Sequence, residues 1–272
     1  MGHITTDRKT GLMYRLWQAD EPKAVFVLVH GLGTQSGRWE FLAEFFLRRN
    51  ISSYALELRG FGETRDLKGH VDSFDVYFDD IRRLHDIAKE NNPRKKLFLI
   101  GQSLGGLICF LMAISDPHSY GGVVCITPAL SNRLKFGLFN YAKMFLSLLY
   151  SPTKRFDLPF TTEMCTRDID YQKMLDSDSR EIHFATAHFL KNLVLAQIKA
   201  IMLGKKIKSP ILFLLAGNDL LVDSAVSRKI FESLSTQDKK LIEYPGMYHA
   251  LNVDLERGKV FNDISNWINS HL

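Results

Sequence analysis

A short apolar run leads into a glycine-flanked serine near the middle of the sequence. Leu97–Ile100 has the composition of a strand buried on both faces, and a G-x-S-x-G motif centred on Ser103 follows it. An apolar helical run then continues through Met112. A strand, a sharp turn at a serine and a helix are the context of a nucleophile elbow, in which glycines give the chain room around the turn. We therefore predict that Ser103 is a nucleophile.

The motif alone does not establish this role. G-x-S-x-G also arises by chance, as a glycine-rich turn with a solvated serine. A free serine hydroxyl is a poor nucleophile at neutral pH, so the prediction requires a base, an acid that orients it and an oxyanion hole. The rest of the chain has to supply these partners.

Buried-strand and helix patterns alternate along most of the chain. The apolar runs typical of buried strands are Ala24–Val29, Ile51–Leu58, Leu97–Ile100, Gly122–Thr127, Pro210–Leu215 and Lys240–Tyr244. Helical periodicity occupies about Arg38–Arg49, Asp72–Lys89, Ser224–Leu234 and Arg257–Ser270. Two short segments within residues 4–20 are typical of an edge hairpin. This alternation predicts βαβ units, hence an α/β fold with a mostly parallel central sheet flanked by helices.

Residues 129–208 break the alternation, because they show helical apolar pattern and no clear strand. Their first part, 136–150, is unusually apolar and aromatic. Such a stripe is more often core than binding surface, but between two sheet strands it also suits a cap whose inner face lines an apolar pocket. We predict a single domain with an α/β core of residues 1–128 and 209–272 and an inserted helical cap of residues 129–208.

Composition and charge exclude several classes of protein. The 272 residues are 46% hydrophobic and 24% charged, which is ordinary for a soluble globular chain. The net charge of +5 is modest and scattered, which argues against a nucleic-acid partner but allows mild attraction to an anionic lipid surface. The three cysteines are too few for a disulfide framework, and we see neither a signal peptide nor a membrane-spanning run. We expect a cytoplasmic protein, with peripheral membrane contact left open.

No cofactor is expected. The sequence contains no H-E-x-x-H, C-x-x-C or P-loop pattern, so neither a metal nor a nucleotide is indicated. Gly31 and Gly33 resemble the start of a dinucleotide loop, but Ser36 occupies the position of the third glycine.

Two late loops supply candidates for the base and the acid. His249 lies in a loop directly after the predicted strand Lys240–Tyr244, where an imidazole can reach the sheet edge. Asp219 comes directly after the preceding strand, whereas Asp223 adjoins Ser224 and suits a helix N-cap. We therefore predict a triad in which Ser103 attacks the acyl carbon, His249 transfers the proton and Asp219 orients the histidine.

The predicted oxyanion hole consists of two backbone amides. One belongs to Leu104, the residue after the nucleophile, at a helix N-terminus. The other belongs to Leu32, in the loop after the first parallel strand, where neighbouring glycines allow a close approach.

With these pieces placed, the chain resembles the monoacylglycerol lipase and lysophospholipase branch of the α/β-hydrolases over nearly its whole length. The segments that carry the resemblance are His30–Gly33, Ser36–Trp39, Leu58–Gly62, Gly69–Phe74 with Asp79 and Asp80, Gly101–Gly106, Thr166–Asp168 with Tyr171 and Asp176, Gly217–Asp223, and Tyr248–His249. The resemblance implies an α/β-hydrolase fold with a sheet of about eight strands, a short lid over an acyl tunnel and no cofactor. It also supports the predicted triad and oxyanion donors.

The resemblance extends to substrate binding, with departures. Mammalian members carry a glutamate near the glycerol head group where this chain has Thr34, while its accompanying arginine is kept as Arg38. A histidine three residues past the catalytic one is replaced by Asn252. We expect these three positions to contact the head group. Apolar substrate contacts are expected from the cap, at Phe136, Phe145 and Leu149.

The predicted function is that of a serine carboxylester hydrolase on single-chain lipids, either monoacylglycerols or lysophospholipids. A short-chain carboxylesterase or a serine aminopeptidase on the same scaffold is an alternative, because fold does not fix substrate. For a peptidase, Glu163, Asp168 or Asp170 are available to hold an amino terminus. A ligand receptor with little turnover is an alternative outside enzymes.

Overall fold

An eight-stranded sheet runs through the centre of the structure, a computed structural model that describes residues 2–133 and 137–272. The strands, in chain order, are β1 (His3–Thr6), β2 (Met13–Trp17), β3 (Ala24–Val29), β4 (Ile51–Leu56), β5 (Lys96–Gln102), β6 (Gly122–Ile126), β7 (Arg155–Asp157), β8 (Phe184–Thr186), β9 (Ile211–Ala216) and β10 (Lys239–Tyr244). The helices are α1 (Glu40–Leu47), α2 (Asp75–Asn91), α3 (Leu104–Ser115), α4 (Leu138–Tyr150), α5 (Thr162–Cys165), α6 (Ile169–Ser177), α7 (Ala187–Leu203), α8 (Ser224–Glu232) and α9 (Arg257–Asn269).

The central sheet is mostly parallel, as the sequence predicts. Its order is β1-β2-β4-β3-β5-β6-β9-β10. From β4 to β10 each neighbouring pair is parallel, and the predicted edge hairpin of β1 and β2 joins β4 antiparallel. The carboxyl ends of the parallel strands therefore meet along one edge, which is where α/β proteins bind ligands.

Two apolar cores cover the two faces of the sheet. All of β3 is buried, and its alternate side chains enter opposite cores: Val27 packs in one, and Phe26 and Leu28 pack in the other. Helices α2, α3 and α8 cover the first face, while α1 and α9 cover the second. This two-sided burial explains why the central strands are continuous apolar runs with no polar alternation.

Residues 127–210, between β6 and β9, are referred to below as the β6–β9 insertion. They contain helices α4 to α7, and α7 packs against both α3 and α4. They also contain β7 and β8, which pair antiparallel, so the expectation of no strand in this region was wrong. Each of these strands has three residues, too few for a period of two to be recognised in the sequence. None of the helices in the described ranges is long and apolar enough to cross a membrane.

Candidate active site

The turn between β5 and α3 holds Ser103 in a strained backbone conformation. Its φ of 57° and ψ of −116° lie outside the regions that residues with a side chain usually occupy. Its N–H donates to the carbonyl of Ile126 at 2.9 Å, which fastens the turn to β6. A Cβ at Gly101 would collide with the carbonyl of Gly105, and one at Gly105 would collide with the end of β3. The G-x-S-x-G segment thus has the geometry of a nucleophile elbow.

The loops after β9 and β10 bring Asp219 and His249 into contact. His249 Nδ1 lies 2.8 Å from Asp219 Oδ2, and the two residues are only 3% and 1% exposed. The other carboxylate oxygen of Asp219 accepts the N–H groups of Leu221 and Val222, both at 2.9 Å. The carboxylate is therefore held in one orientation, with one oxygen aimed at the imidazole.

The ionisation of Asp219 decides how the imidazole is protonated. Burial raises the pKa of Asp219, but the charge and hydrogen bond of His249, together with two backbone N–H donors, lower that pKa below its ordinary value. An ionised carboxylate only accepts hydrogen bonds, so Nδ1 of a neutral His249 carries the proton. Nε2 is then left free to act as a base.

Asp223 has a different role. It is the N-cap of α8, where Oδ1 accepts the N–H of Ala225 at 3.0 Å, and it lies 3.6 Å from Arg133. This is the capping role that the sequence favours, so the partner of His249 is Asp219.

Ser103 and His249 line one cavity at the carboxyl edge of the sheet. Leu32 and Leu104 line the same cavity, as do Thr34, Arg38 and Asn252. Asp219 lies behind His249, outside this lining. Apolar lining comes from both the insertion and the sheet edge, through Phe160, Ile182, Leu193, Leu221 and Val222. The cavity therefore combines a polar, reactive side with an apolar wall.

The two residues predicted to supply the oxyanion hole both border the cavity beside Ser103. Leu104 is the first residue of α3, and amides in the first turn of a helix have no acceptor within the helix. Leu32 lies in the loop after β3, against the β6–β9 insertion, whose Ile182 donates its N–H to Gly33 O at 2.8 Å. The positive φ of 79° at Gly33 explains the glycine at that position.

His30 anchors the loop after β3 through its buried ring, a role that the sequence motif did not reveal. Its Nε2 accepts the N–H of Leu58 at 3.1 Å, so Nδ1 is the protonated nitrogen and donates to Gly31 O at 2.8 Å. Burial lowers the pKa of His30, which keeps the ring neutral. The ring therefore ties the loop that carries Leu32 to the end of β4.

Arg38 forms a buried ion pair with Glu181 of the insertion. Nε and Nη2 of Arg38 lie 2.9 and 3.0 Å from the two oxygens of Glu181, a bidentate arrangement. Burial lowers the pKa of Arg38, but the charge and hydrogen bonds of Glu181 outweigh burial and raise that pKa above its ordinary value. Sequence reasoning missed Glu181. A buried arginine signals that a carboxylate must face it, but which distant acid does so is decided by folding.

Asn252 lies beside this pair and is 2% exposed. Its Nδ2 donates to the backbone carbonyl of Arg38 at 3.1 Å, while its Oδ1 is buried without a hydrogen-bond partner. Thr34 is on the same side of the cavity and donates its hydroxyl to Gly31 O at 3.1 Å. Asn252, a lining residue of the cavity, thus has a buried acceptor with unused capacity next to the Arg38–Glu181 ion pair.

Two of the three apolar substrate contacts expected from the insertion are absent from the cavity lining. Phe145 and Leu149 are 68% and 71% exposed on α4 and do not line the cavity. Phe136 lies outside the described residues. The apolar pattern of α4 did not distinguish an inward from an outward face, because both faces are apolar.

The acids considered for a peptidase do not line the cavity either. Glu163 is exposed, Asp168 caps α6 through the N–H of Tyr171, and Asp170 pairs with Lys173 on the surface. Across the described ranges, no three His, Cys, Asp or Glu side chains are grouped as ligands for a metal ion.

Comparisons with known proteins agree on one family. The family model Hydrolase_4, described as "Serine aminopeptidase, S33", matches residues 20–256. The chain is 28% identical over 250 residues to phospholipase YtpA of Bacillus subtilis, covering 90% of this chain and 95% of the relative. It is 26% identical to a monoacylglycerol lipase of Mycolicibacterium smegmatis, covering 96% and 94% of the two chains.

A solved structure shows the same architecture. The crystal structure of the monoacylglycerol lipase of Paleococcus ferrophilus superposes with a TM-score of 0.84 at 27% identity, covering 96% of this chain and 99% of that one. The fold is therefore that of the α/β-hydrolases, as the sequence motifs predict.

Proposed function

The chain belongs to the Hydrolase_4 family of α/β-hydrolases, and from this premise we propose that it hydrolyses single-chain lipid esters, monoacylglycerols or lysophospholipids, through an acyl-enzyme on Ser103. The observation that carries the proposal is the buried Asp219–His249 pair, whose imidazole lines the same cavity as a serine on a strained turn. Relatives named as a phospholipase and as monoacylglycerol lipases support the lipid class.

The proposed reaction follows from the roles that the geometry allows. His249 Nε2 takes the proton of Ser103 Oγ as that oxygen attacks the acyl carbonyl, and the amides of Leu32 and Leu104 bind the oxyanion. His249 then gives the proton to the departing alcohol oxygen, and the ester bond breaks to leave an acyl-serine. In the second half, His249 takes a proton from a water molecule whose oxygen attacks the acyl carbon. The bond from the acyl carbon to Ser103 Oγ then breaks, His249 returns the proton to Oγ, and the fatty acid leaves. Asp219 stabilises the imidazolium that forms in both halves.

We propose that the polar side of the cavity binds the head group. Oδ1 of Asn252 needs a donor, and a glycerol hydroxyl supplies one. The Arg38–Glu181 pair offers a further donor and acceptor set next to it. Glu181 takes the place of the glutamate that this chain lacks at Thr34, so the head group would be held between the sheet edge and the insertion.

Residues 1–128 and 209–272 are proposed to act as the catalytic core and residues 129–208 as a cap over it. Support comes from the cavity lining, because Phe160, Ile182 and Leu193 of the insertion face the same space as Ser103. An apolar wall contributed by the cap suits an acyl chain.

We also propose that the outer face of this cap docks on an anionic lipid surface. The exposed apolar side chains of α4 and α7 are Phe145, Leu146, Leu149, Tyr150, Val194, Leu195, Ile198, Ile201 and Met202. Neither helix contains an aspartate or a glutamate, while Lys143, Lys199 and Lys205 are exposed on or directly after them. An apolar face on helices whose own charged residues are all basic matches an interface with anionic lipids. The enzyme would then be a cytoplasmic protein with peripheral membrane contact.

Vesicle binding tests the docking face. Wild type should co-sediment with phosphatidylglycerol vesicles more than with phosphatidylcholine vesicles, and added salt should weaken the preference. The double variant Leu146→Ser with Met202→Ser should lose binding, while a matched pair elsewhere on the surface, Leu67→Ser with Leu255→Ser, should retain it. Equal binding by both double variants would exclude this face.

Fatty-acid release from a long-chain monoacylglycerol is the main test of function. We expect release by wild type, none by Ser103→Ala, and labelling of wild type alone by a fluorophosphonate. A lysophospholipid, an acetyl ester and an aminoacyl amide are assayed in parallel as alternative substrates. Labelling with activity only on the acetyl ester or the amide would favour the esterase or aminopeptidase alternative. Labelling with no turnover of any substrate would favour a receptor.

A further inference from the structure

The segment that leaves β6, Ile126–Ala129, bonds to both reacting residues of the proposed triad. The carbonyl of Ile126 accepts the N–H of Ser103 at 2.9 Å, and the N–H of Ala129 donates to the carbonyl of Ser103 at 2.9 Å. The side chain of Thr127, which lies between these two bonds, reaches the other partner, donating Oγ1–H to the carbonyl of His249 at 2.9 Å. The four-residue segment Ile126–Ala129 is thus hydrogen-bonded to the backbones of both Ser103 and His249.

Thr127 occupies a conformation that its side chain disfavours. Its φ is 40°, and β-branched residues rarely adopt positive φ. It is 1% exposed, and its N–H donates to Leu214 O of β9 at 2.8 Å. A glycine would adopt this conformation without strain, so what threonine adds is the hydroxyl on His249.

The bond from Thr127 restrains a part of His249 that the contact with Asp219 leaves undetermined. Asp219 fixes the rotation and protonation of the imidazole through Nδ1. The backbone position of His249 sets how far the loop after β10 lies from the sheet edge. It therefore also sets the distance from His249 Nε2 to Ser103. Among the described residues, the His249 carbonyl accepts the N–H of Leu251 at 3.1 Å, which lies in the same loop, and the hydroxyl of Thr127, which ties the carbonyl to the segment after β6.

We infer that Thr127 is a positioning residue, whose hydroxyl sets the spacing between Ser103 and His249. The inference rests on the proposed function, because it assumes that these two side chains exchange a proton. Displacement of a reacting group by about 1 Å costs on the order of 100-fold in rate, so the loss of this restraint should be visible in turnover.

Three substitutions test the role. Thr127→Val removes the hydroxyl and keeps the shape, Thr127→Ser keeps the hydroxyl, and Thr127→Gly removes the hydroxyl while relieving the backbone strain. Thr236→Val is the matched control, since this buried threonine also donates to a backbone carbonyl, that of Lys208. Both residues precede β9 and β10, at the edge of the sheet opposite the triad.

We expect Thr127→Val and Thr127→Gly to lower kcat and the rate of fluorophosphonate labelling by roughly 10- to 100-fold, with KM within about twofold of wild type. Thr127→Ser should recover most of both rates, and Thr236→Val should leave both unchanged. Thermal midpoints are measured in parallel. Thr127→Gly is expected to fold at least as well as Thr127→Val, so a slow but stable glycine variant would exclude a purely structural role.

Wild-type kcat and labelling in Thr127→Gly, or equal impairment of Thr127→Ser and Thr127→Val, would overturn the inference. Ser103→Ala and His249→Ala separate this failure from failure of the proposed function. If both are inactive while Thr127→Gly is normal, only the positioning role is lost. If either remains active, the proposed mechanism itself is wrong.

Discussion

The carboxyl edge of the sheet and the outer face of the β6–β9 insertion depart from the usual distribution of side chains in opposite directions. At the sheet edge, the polar residues Asp219 and His249 are buried. On the insertion, the apolar residues Leu149 and Met202 are exposed, at 71% and 73%. Soluble proteins usually do the reverse, and local violations are expected where a chain performs its function.

The buried polar residues and the exposed apolar residues differ in how strongly their surroundings depend on them. Asp219 and His249 are hydrogen-bonded to each other at the sheet edge, so removing either side chain leaves the other buried and unsatisfied. Each exposed apolar side chain on the insertion has open space on one side, so removing it leaves no cavity. Substitutions should therefore be costly at the sheet edge and nearly neutral on the outer face.

The largest effect is expected at Asp219. Asp219→Asn keeps the shape but changes the hydrogen bond to His249, and it should lower kcat by about 10⁴-fold through the wrong tautomer. Asp223→Asn is the matched control, because it alters the cap of α8 and the contact with Arg133 but not the bond to His249, and it should leave kcat near wild type. Steady-state kinetics on a monoacylglycerol measure both. A normal Asp219→Asn with an inactive Asp223→Asn would show that the acid had been misassigned.

The buried pair of Arg38 and Glu181 comes next. Glu181→Gln leaves the guanidinium buried without its countercharge, which should lower the free energy of unfolding by about 3–5 kcal/mol. Asp170→Asn, in an exposed pair with Lys173, should have no measurable effect. Denaturant unfolding compares the two. Equal stability of both variants would mean that water reaches the buried pair and replaces the lost contact.

Two leucines of the β6–β9 insertion, one buried and one exposed, test the contrast directly. Leu175 of α6 is 2% exposed, so Leu175→Ala should cost about 2–5 kcal/mol of unfolding free energy. Leu149→Ala should change it by no more than about 0.5 kcal/mol. A large cost at Leu149 would show that the outer face of α4 is covered in solution, for example by a second copy of the chain.

The smallest effect is expected at Asn252. Asn252→Ala removes the acceptor offered to a head-group hydroxyl, and it should raise KM for a monoacylglycerol by about 5- to 10-fold. KM for a methyl ester of the same fatty acid should stay unchanged, because that ester has no hydroxyl to lose. An equal rise in KM for both esters would show that the substitution disturbs the cavity in general and does not remove a contact with the head group.

Local sequence patterns were sufficient to predict the strands of the central sheet and the turn at Ser103. β3 and β9 are continuous apolar runs because helices bury both of their faces, and this burial leaves a direct mark on composition. The choice of Asp219 over Asp223 also came from local features, since one follows a strand directly and the other adjoins a helix start. In the β6–β9 insertion, these local sequence signals are weak. The strands β7 and β8 are too short to show a period, and α4 is apolar on faces with opposite surroundings.

The sequence by itself determined the order of strands and helices outside the β6–β9 insertion, the position of the serine turn and the pairing of Asp219 with His249. These depend on short-range spacing, because strands, turns and caps are built from neighbouring residues. Only the tertiary structure decided that Glu181 faces Arg38, that Leu149 points outward and that Thr127 bonds to His249. Each of these contacts joins segments far apart in the chain, and a long-range pairing leaves no local periodicity from which it could be predicted.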